Sequence, residues 1–190
     1  ETITEVGEWL EPTEYGSLVS RLYIDPRSAE VIVKAMIGQK EYTDIGLLHL
    51  LCSTPDMPTL FVRRDDMYLL DRFLADHRND LWMEIPWDAG EGFDRSLKTA
   101  LLLADWADEL GEDVICERYN VGPGDVYGMV ESVAWLVHAS RHLAGLFAPH
   151  LAGPIEEMEL RAKHGIKKEL LPLIRLRGIG RVRARRLFDN

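Results

Sequence analysis

Along most of this chain apolar residues recur at intervals of three and four, the spacing of one face of an α-helix. The longest such stretch runs from Val126 to Phe147. At 100° per residue, Val126, Val130, Val133, Val137 and Ala144 fall within about 40° of one direction, and Met129, Leu136 and Leu143 widen that stripe on one side. Shorter helices are expected elsewhere. One follows Pro12-Thr13-Glu14, with Leu18, Val19, Leu22 and Tyr23 in register. A second opens at Asp25-Pro26 and closes at Gly38, and a third runs from a Thr43 or Asp44 cap to Cys52. Further helices are predicted from Arg64 to His77, from Phe93 to Leu110 with Gly111 as its stop, within Glu112 to Asn120, and from Glu156 to Gly165. Pro149 and Gly153-Pro154 are read as breaks. Residues 79–92, with Trp82, Pro86, Trp87 and two glycines, read as a structured loop, and residues 1–12 alternate weakly, as a short strand pair would.

The pattern predicts an all-α fold: a multi-helix bundle, then a C-terminal helix-hairpin-helix unit, with a short β wing at the N-terminus. The expected divisions are 1–25, 26–154 and 155–190. A chain of 190 residues suits one large or two small domains. No apolar run approaches the ~20 residues of a membrane span, so no membrane partner is expected. The N-terminus lacks the basic start of a signal peptide. Two isolated cysteines, Cys52 and Cys116, fit a reducing interior better than a disulfide framework. A cytoplasmic, nucleoid-associated location is expected on these grounds.

Charge changes the picture at one end. The chain carries a formal charge of -10, yet Leu160 to Asn190 holds ten basic residues against two acidic ones, a local +8 on a body of -18. Such asymmetry points to a polyanion docking at one end; a solvated, charged terminal helix is the plainer alternative. Within this tail, Ile174, Leu176, Gly178-Ile179-Gly180, Ala184 and Leu187 form a helix-hairpin-helix pattern. The glycines permit a tight turn, Ile179 can plug between the helices, and Ala184 lets them approach. Amides left uncovered at the start of the second helix would make a phosphate site. Arg175, Arg177, Arg181, Arg183, Arg185 and Arg186 surround it, contacts that would position a nucleic acid without reading its sequence. A hairpin used only for packing or for a protein partner is the competing reading.

Trp135 lies about 180° from the centre of the long helix's apolar stripe. It is either covered by a second layer or open to stack on a base. Gly128, Glu131, His138 and His142 share its face. His138 and His142 stand four apart, but no further cysteine or histidine supports a metal there, and His49 with Cys52 is no better. No Ser-His-Asp set can be argued. The sequence has no G-x-x-x-x-G-K-[ST] loop and no acidic box after a strand, so hydrolysis of a nucleotide by a P-loop mechanism is excluded within it.

Three stretches together, EYGSLVSRLYIDPRSAEVI, VYGMVESVAWLVHASRHLAGLF and LIRLRGIGRVRARRLF, resemble the C-terminal half of archaeal superfamily-two DNA helicases of the Ski-like branch, relatives of the helicase part of polymerase theta. The resemblance covers essentially the whole chain. It implies two RecA-like motor domains upstream that bind ATP and magnesium, with no cofactor in this chain, which would then be a piece of a longer protein whose first residues are the last wing of a winged helix. It implies 3'-to-5' unwinding at stalled or branched replication forks and single-stranded or forked DNA as partner; a single-strand DNA-binding protein is a further candidate partner that the sequence itself does not specify. The family's ratchet helix falls on the long helix and its stacking tryptophan on Trp135. The arginine usual one heptad earlier is replaced by Gly128, for which His138 or Arg141 is expected to compensate. The family's terminal basic brake falls on Arg181, Arg183, Arg185 and Arg186. Two other readings remain at this point: a stand-alone helix-hairpin-helix repair protein, and a protein-interaction scaffold docking through the acidic bundle.

Overall fold

The computed structural model describes residues 3–6, 9–86 and 90–190, without the side chains of residues 3–6, 9 and 10. Trp87 therefore lies outside the described residues. The chain opens on an antiparallel hairpin, β1 (Ile3–Val6) and β2 (Trp9–Pro12), with Ile3 opposite Pro12 and Val6 opposite Trp9. Everything beyond is helical or irregular among the described residues, an all-α bundle as the apolar periodicity predicts.

Helix α1 (Glu14–Leu22) starts where Thr13 accepts a hydrogen bond from the Gly16 amide, and α2 (Pro26–Gly38) starts where Asp25 accepts from Arg27. Helices α3 (Asp44–Cys52), α4 (Met67–His77), α5 (Glu91–Ala107) and α6 (Glu112–Tyr119) follow. Arg64–Asp66, expected as the first turn of α4, is a tighter 3-10 turn. Helix α7 (Pro123–Phe147) starts three residues before the predicted Val126, because Pro123 presets its first turn and Asp125 accepts from the Gly122 amide.

Two expectations fail at helix ends. Gly153-Pro154 does not break the chain: α8 runs unbroken from Pro149 to His164 with Pro154 inside it. Leu151, Ile155, Met158 and Ala162 all point inward from α8, and burying that row outweighs the hydrogen bond that Pro154 cannot donate. Helix α5 stops at Ala107, ahead of Gly111. Its left-handed closing residue is Glu109, at φ 66. The Leu110 amide donates back to the Asp105 carbonyl at 2.9 Å, so residues 105–110 close as a Schellman motif with glutamate where glycine is usual.

The main core gathers Ile32 and Met36 of α2, Leu47, Leu48 and Leu51 of α3, and Leu97 and Leu102 of α5 around the predicted stripe of α7. Val126, Val130, Val133, Val137 and Ala144 are all buried there. A second, smaller cluster forms beyond α8 from Ile166, Leu170, Leu171 and Ala184. It joins α9 (Leu171–Ile174) to α10 (Arg181–Phe188), with Ile179 packed against it. The 154/155 division expected from sequence falls inside α8, whose inward side chains through Ala162 belong to the larger core.

Candidate nucleic-acid interface

The C-terminal hairpin begins with burial. Ala184 is fully covered, so α10 lies close against the segment that carries Leu170 and Leu171. The turn between α9 and α10 is closed by Ile179 donating to the Leu176 carbonyl at 3.2 Å and needs Gly178 at φ 82. Of the two glycines that the sequence pattern offers for the tight turn, Gly180 does not take the unusual backbone angle. It is extended instead, at φ -100 and ψ 178, and serves as the N-cap of α10. With glycine in that place no cap side chain bonds the first-turn amides of α10.

The six arginines do not surround one site; they part into two sets. Arg181 and Arg185, four residues apart on one face of α10, turn inward. Arg181 lies over the Trp106 ring at 4.8 Å and donates to the Leu110 carbonyl at 2.8 Å. Burial draws its pKa below the ordinary arginine range, against the pull of Glu109. Arg185 forks onto Glu109 and also bonds Glu169 at 2.8 Å and Asp189 at 3.3 Å. The hydrogen bonds it donates to Glu109 and then Glu169 hold its pKa well above the usual value. Arg175, Arg177, Arg183 and Arg186 are exposed. Arg183 reaches back to the Gly178 carbonyl at 2.9 Å, and the other three side chains have no partner among the described residues. Val182 and Leu187 are exposed as well and flank Arg183 and Arg186, so apolar side chains border the outward cations of α10.

On α7, Trp135 sits where the helical wheel puts it, but it is not free-standing. Its indole N–H donates to the Leu22 carbonyl at 3.0 Å, and the half-buried ring packs under the end of α1. Tyr15 of α1 also meets Phe147 of α7 edge to face, with ring centres 5.5 Å apart. His138 and Arg141, expected to stand in for the missing arginine, both pair with Glu159 of α8 at 2.9 Å. Neither side chain is without a partner. At Gly128 an added Cβ would meet nothing within 4 Å, so the position is not crowded at its root. Among the described residues no group of three or more His, Cys, Asp or Glu could hold a metal, and no helix is long and apolar enough to cross a membrane.

Sequence reasoning missed two residues that shape this end. Trp106 bonds the Ala162 carbonyl at 2.8 Å through its indole N–H and offers its ring to Arg181. Glu109 holds Arg185 across a separation of 76 residues. No local signal marks either, because both read as ordinary residues at the end of an amphipathic helix.

An all-α bundle with a small basic helical hairpin docked at one end is therefore the class of module this chain forms. Residues 45–165 match the family described as archaeal helicase, domain 4, and the chain belongs to that family, an accessory region of archaeal helicases of the Ski-like branch. It is similar to the ATP-dependent DNA helicase Hel308 of Methanocella arvoryzae, 39% identical over 98% of this chain and 26% of that protein. The Pyrococcus horikoshii protein of the same name is 34% identical over 92% of this chain and 25% of its own length. The chain thus spans about a quarter of the length of these relatives.

Proposed function

We propose that this chain is the strand-guiding region of an ATP-dependent 3'-to-5' DNA helicase that works at stalled or branched forks. Motor domains in the same polypeptide would supply ATP and magnesium chemistry, and α7 would lie along the path of the single strand. The observation that carries the reading is the outward set Arg175, Arg177, Arg183 and Arg186 on an acidic body, in a chain 39% identical to a DNA helicase. Four such cations beside the uncapped amides of α10 suit a phosphate backbone and select no base. Trp135 and His138 would face the strand from α7. The proposal extends to a single-strand DNA-binding protein as partner and to a location with the nucleoid.

The test is a titration of fluorescent single-stranded and forked DNA across a range of salt. Four neutralised phosphates on a single strand give a slope in log K against log salt of about -2.8. Binding should be independent of sequence. A flat salt response would remove the outward arginines from the interface and the proposal with them.

A further inference from the structure

The Schellman turn that ends α5 is also the seat of the hairpin. Its three consecutive residues each hold a basic side chain from farther along the chain. Asp108 bonds Arg161 at 2.9 Å, Glu109 takes the guanidinium of Arg185, and the Leu110 carbonyl accepts from Arg181 at 2.8 Å. Glu109 uses both carboxylate oxygens. Oε1 accepts from Arg185 Nε at 3.3 Å, while Oε2 accepts from Arg185 Nη2 and from the Lys167 amide, the latter at 3.3 Å. Its side chain is only 11% exposed. A non-glycine residue at φ 66 carries a conformational cost that glycine would avoid. The backbone gains nothing from a glutamate there, so the reason for one lies in its carboxylate.

The fork geometry has a directional consequence. A guanidinium gripped through Nε and Nη2 is fixed in plane and in rotation, which a single contact would not achieve. Arg185 and Arg181 occupy one face of α10, so holding both fixes the helix about its own axis. Arg183 and Arg186 are then turned outward. Gly165 keeps the seat tight from below. It stands at φ 60, and a Cβ there would fall 2.6 Å from Trp106 and 2.9 Å from Arg181.

We propose that Glu109 is a positioning residue for the DNA interface: its grip on Arg185 sets the rotation of α10, so that Arg183 and Arg186 meet the phosphates while Arg181 and Arg185 serve as anchors. The inference rests on the DNA-binding reading above and divides the basic motif by role.

The test uses the 190-residue chain and the variants Glu109→Gly, Arg185→Ala and Arg183→Ala. Glu109→Gly relieves the left-handed backbone, so the unfolding midpoint of the bundle should hold or rise. Amide exchange across Arg181–Phe188 should nevertheless quicken. If the seated hairpin then falls to about a third to a tenth of the population, single-strand affinity falls about three- to tenfold. The salt slope should stay at the parent value in Glu109→Gly and Arg185→Ala, since no phosphate contact is removed. In Arg183→Ala it should shrink by about 0.7. Parent-like exchange and affinity in Glu109→Gly would overturn the proposal. So would an Arg185→Ala slope that shrinks as much as that of Arg183→Ala, which would make Arg185 a phosphate contact. If the parent chain itself binds no DNA at any salt, the functional reading falls instead, a result distinct from either of these.

Discussion

At the scale of single residues, the least expected side chain is His49. It lies buried on α3, edge-on to Phe93 with ring centres 5.0 Å apart. Ser96 Oγ is 3.2 Å from its Nε2 and donates its own proton to the Phe93 carbonyl at 2.8 Å. That leaves Nε2 as the donor to Ser96 and Nδ1 as a bare acceptor with no partner among the described residues. A second proton would place a charge on a buried nitrogen with nothing to receive it, and burial accordingly pushes the pKa down to about 4. The unfolded chain takes up this proton near the ordinary histidine value, before the folded chain does. Stability from this group is therefore complete above about pH 6.5 and is lost as pH falls toward 4, by about 3 kcal/mol in all. Urea midpoints for the parent and His49→Gln should diverge through that window; parallel curves would show that His49 is not held neutral by the fold. Trp135 gives a second expectation at this scale. Trp135→Phe keeps a ring and loses the hydrogen bond to Leu22, at a cost of about 1 kcal/mol, with single-strand binding retained. Trp135→Ala removes the ring as well and should cost about 2 kcal/mol, given its partial burial, together with DNA affinity. A thermal melt of each, beside a binding curve, separates packing from stacking.

At the scale of elements, the two glycines of the hairpin should respond in opposite ways. Gly178→Ala forces a side chain onto a left-handed backbone, and the hairpin should lose about 1–2 kcal/mol. Gly180→Ser introduces an N-cap at an extended position with open space around it, and α10 should become more stable. The same hydroxyl covers the first-turn amides, so DNA affinity should fall while helix content rises. Circular dichroism and the oligonucleotide titration together check this, and a rise in both would show that those amides take no phosphate. Much at this scale was legible from sequence. Asp25-Pro26 and the five-residue stripe of α7 each carry a strong local signal, and α2 and α7 follow it. Which of two neighbouring glycines takes the positive φ was not legible, since either can. The extent of α8 was hidden for a related reason: Pro154 signals a break locally, and only the row Leu151, Ile155, Met158 and Ala162, packed on distant helices, overrules it. The division of the arginines was equally out of reach, because Glu109 lies 76 residues upstream of Arg185 and Trp106 is almost equally distant from Arg181.

At the scale of the whole molecule, the chain is two hydrophobic clusters of unequal size joined by charged and aromatic contacts at the α5–α6 turn. The larger draws its members from α1 to α8 and its partners within that range. Truncation after Ile166 should therefore leave a bundle that still unfolds cooperatively, with DNA binding lost along with every arginine of the hairpin. Calorimetry of the truncated chain checks the first half of that statement, and a broad, heat-poor transition would make the hairpin integral to the bundle.

The burial of α7 has a mechanical consequence. Its 25 residues make a rod roughly 37 Å long. Along that length it is gripped by α2, α3, α6 and α8, and its Trp135 is tied to α1. Sliding it by one turn would pull the row from Val126 to Ala144 out of register with every neighbour at once. It cannot work as a piston. On the proposed strand path along this helix, a stroke would have to come from movement of the bundle as a whole rather than from α7 sliding within it.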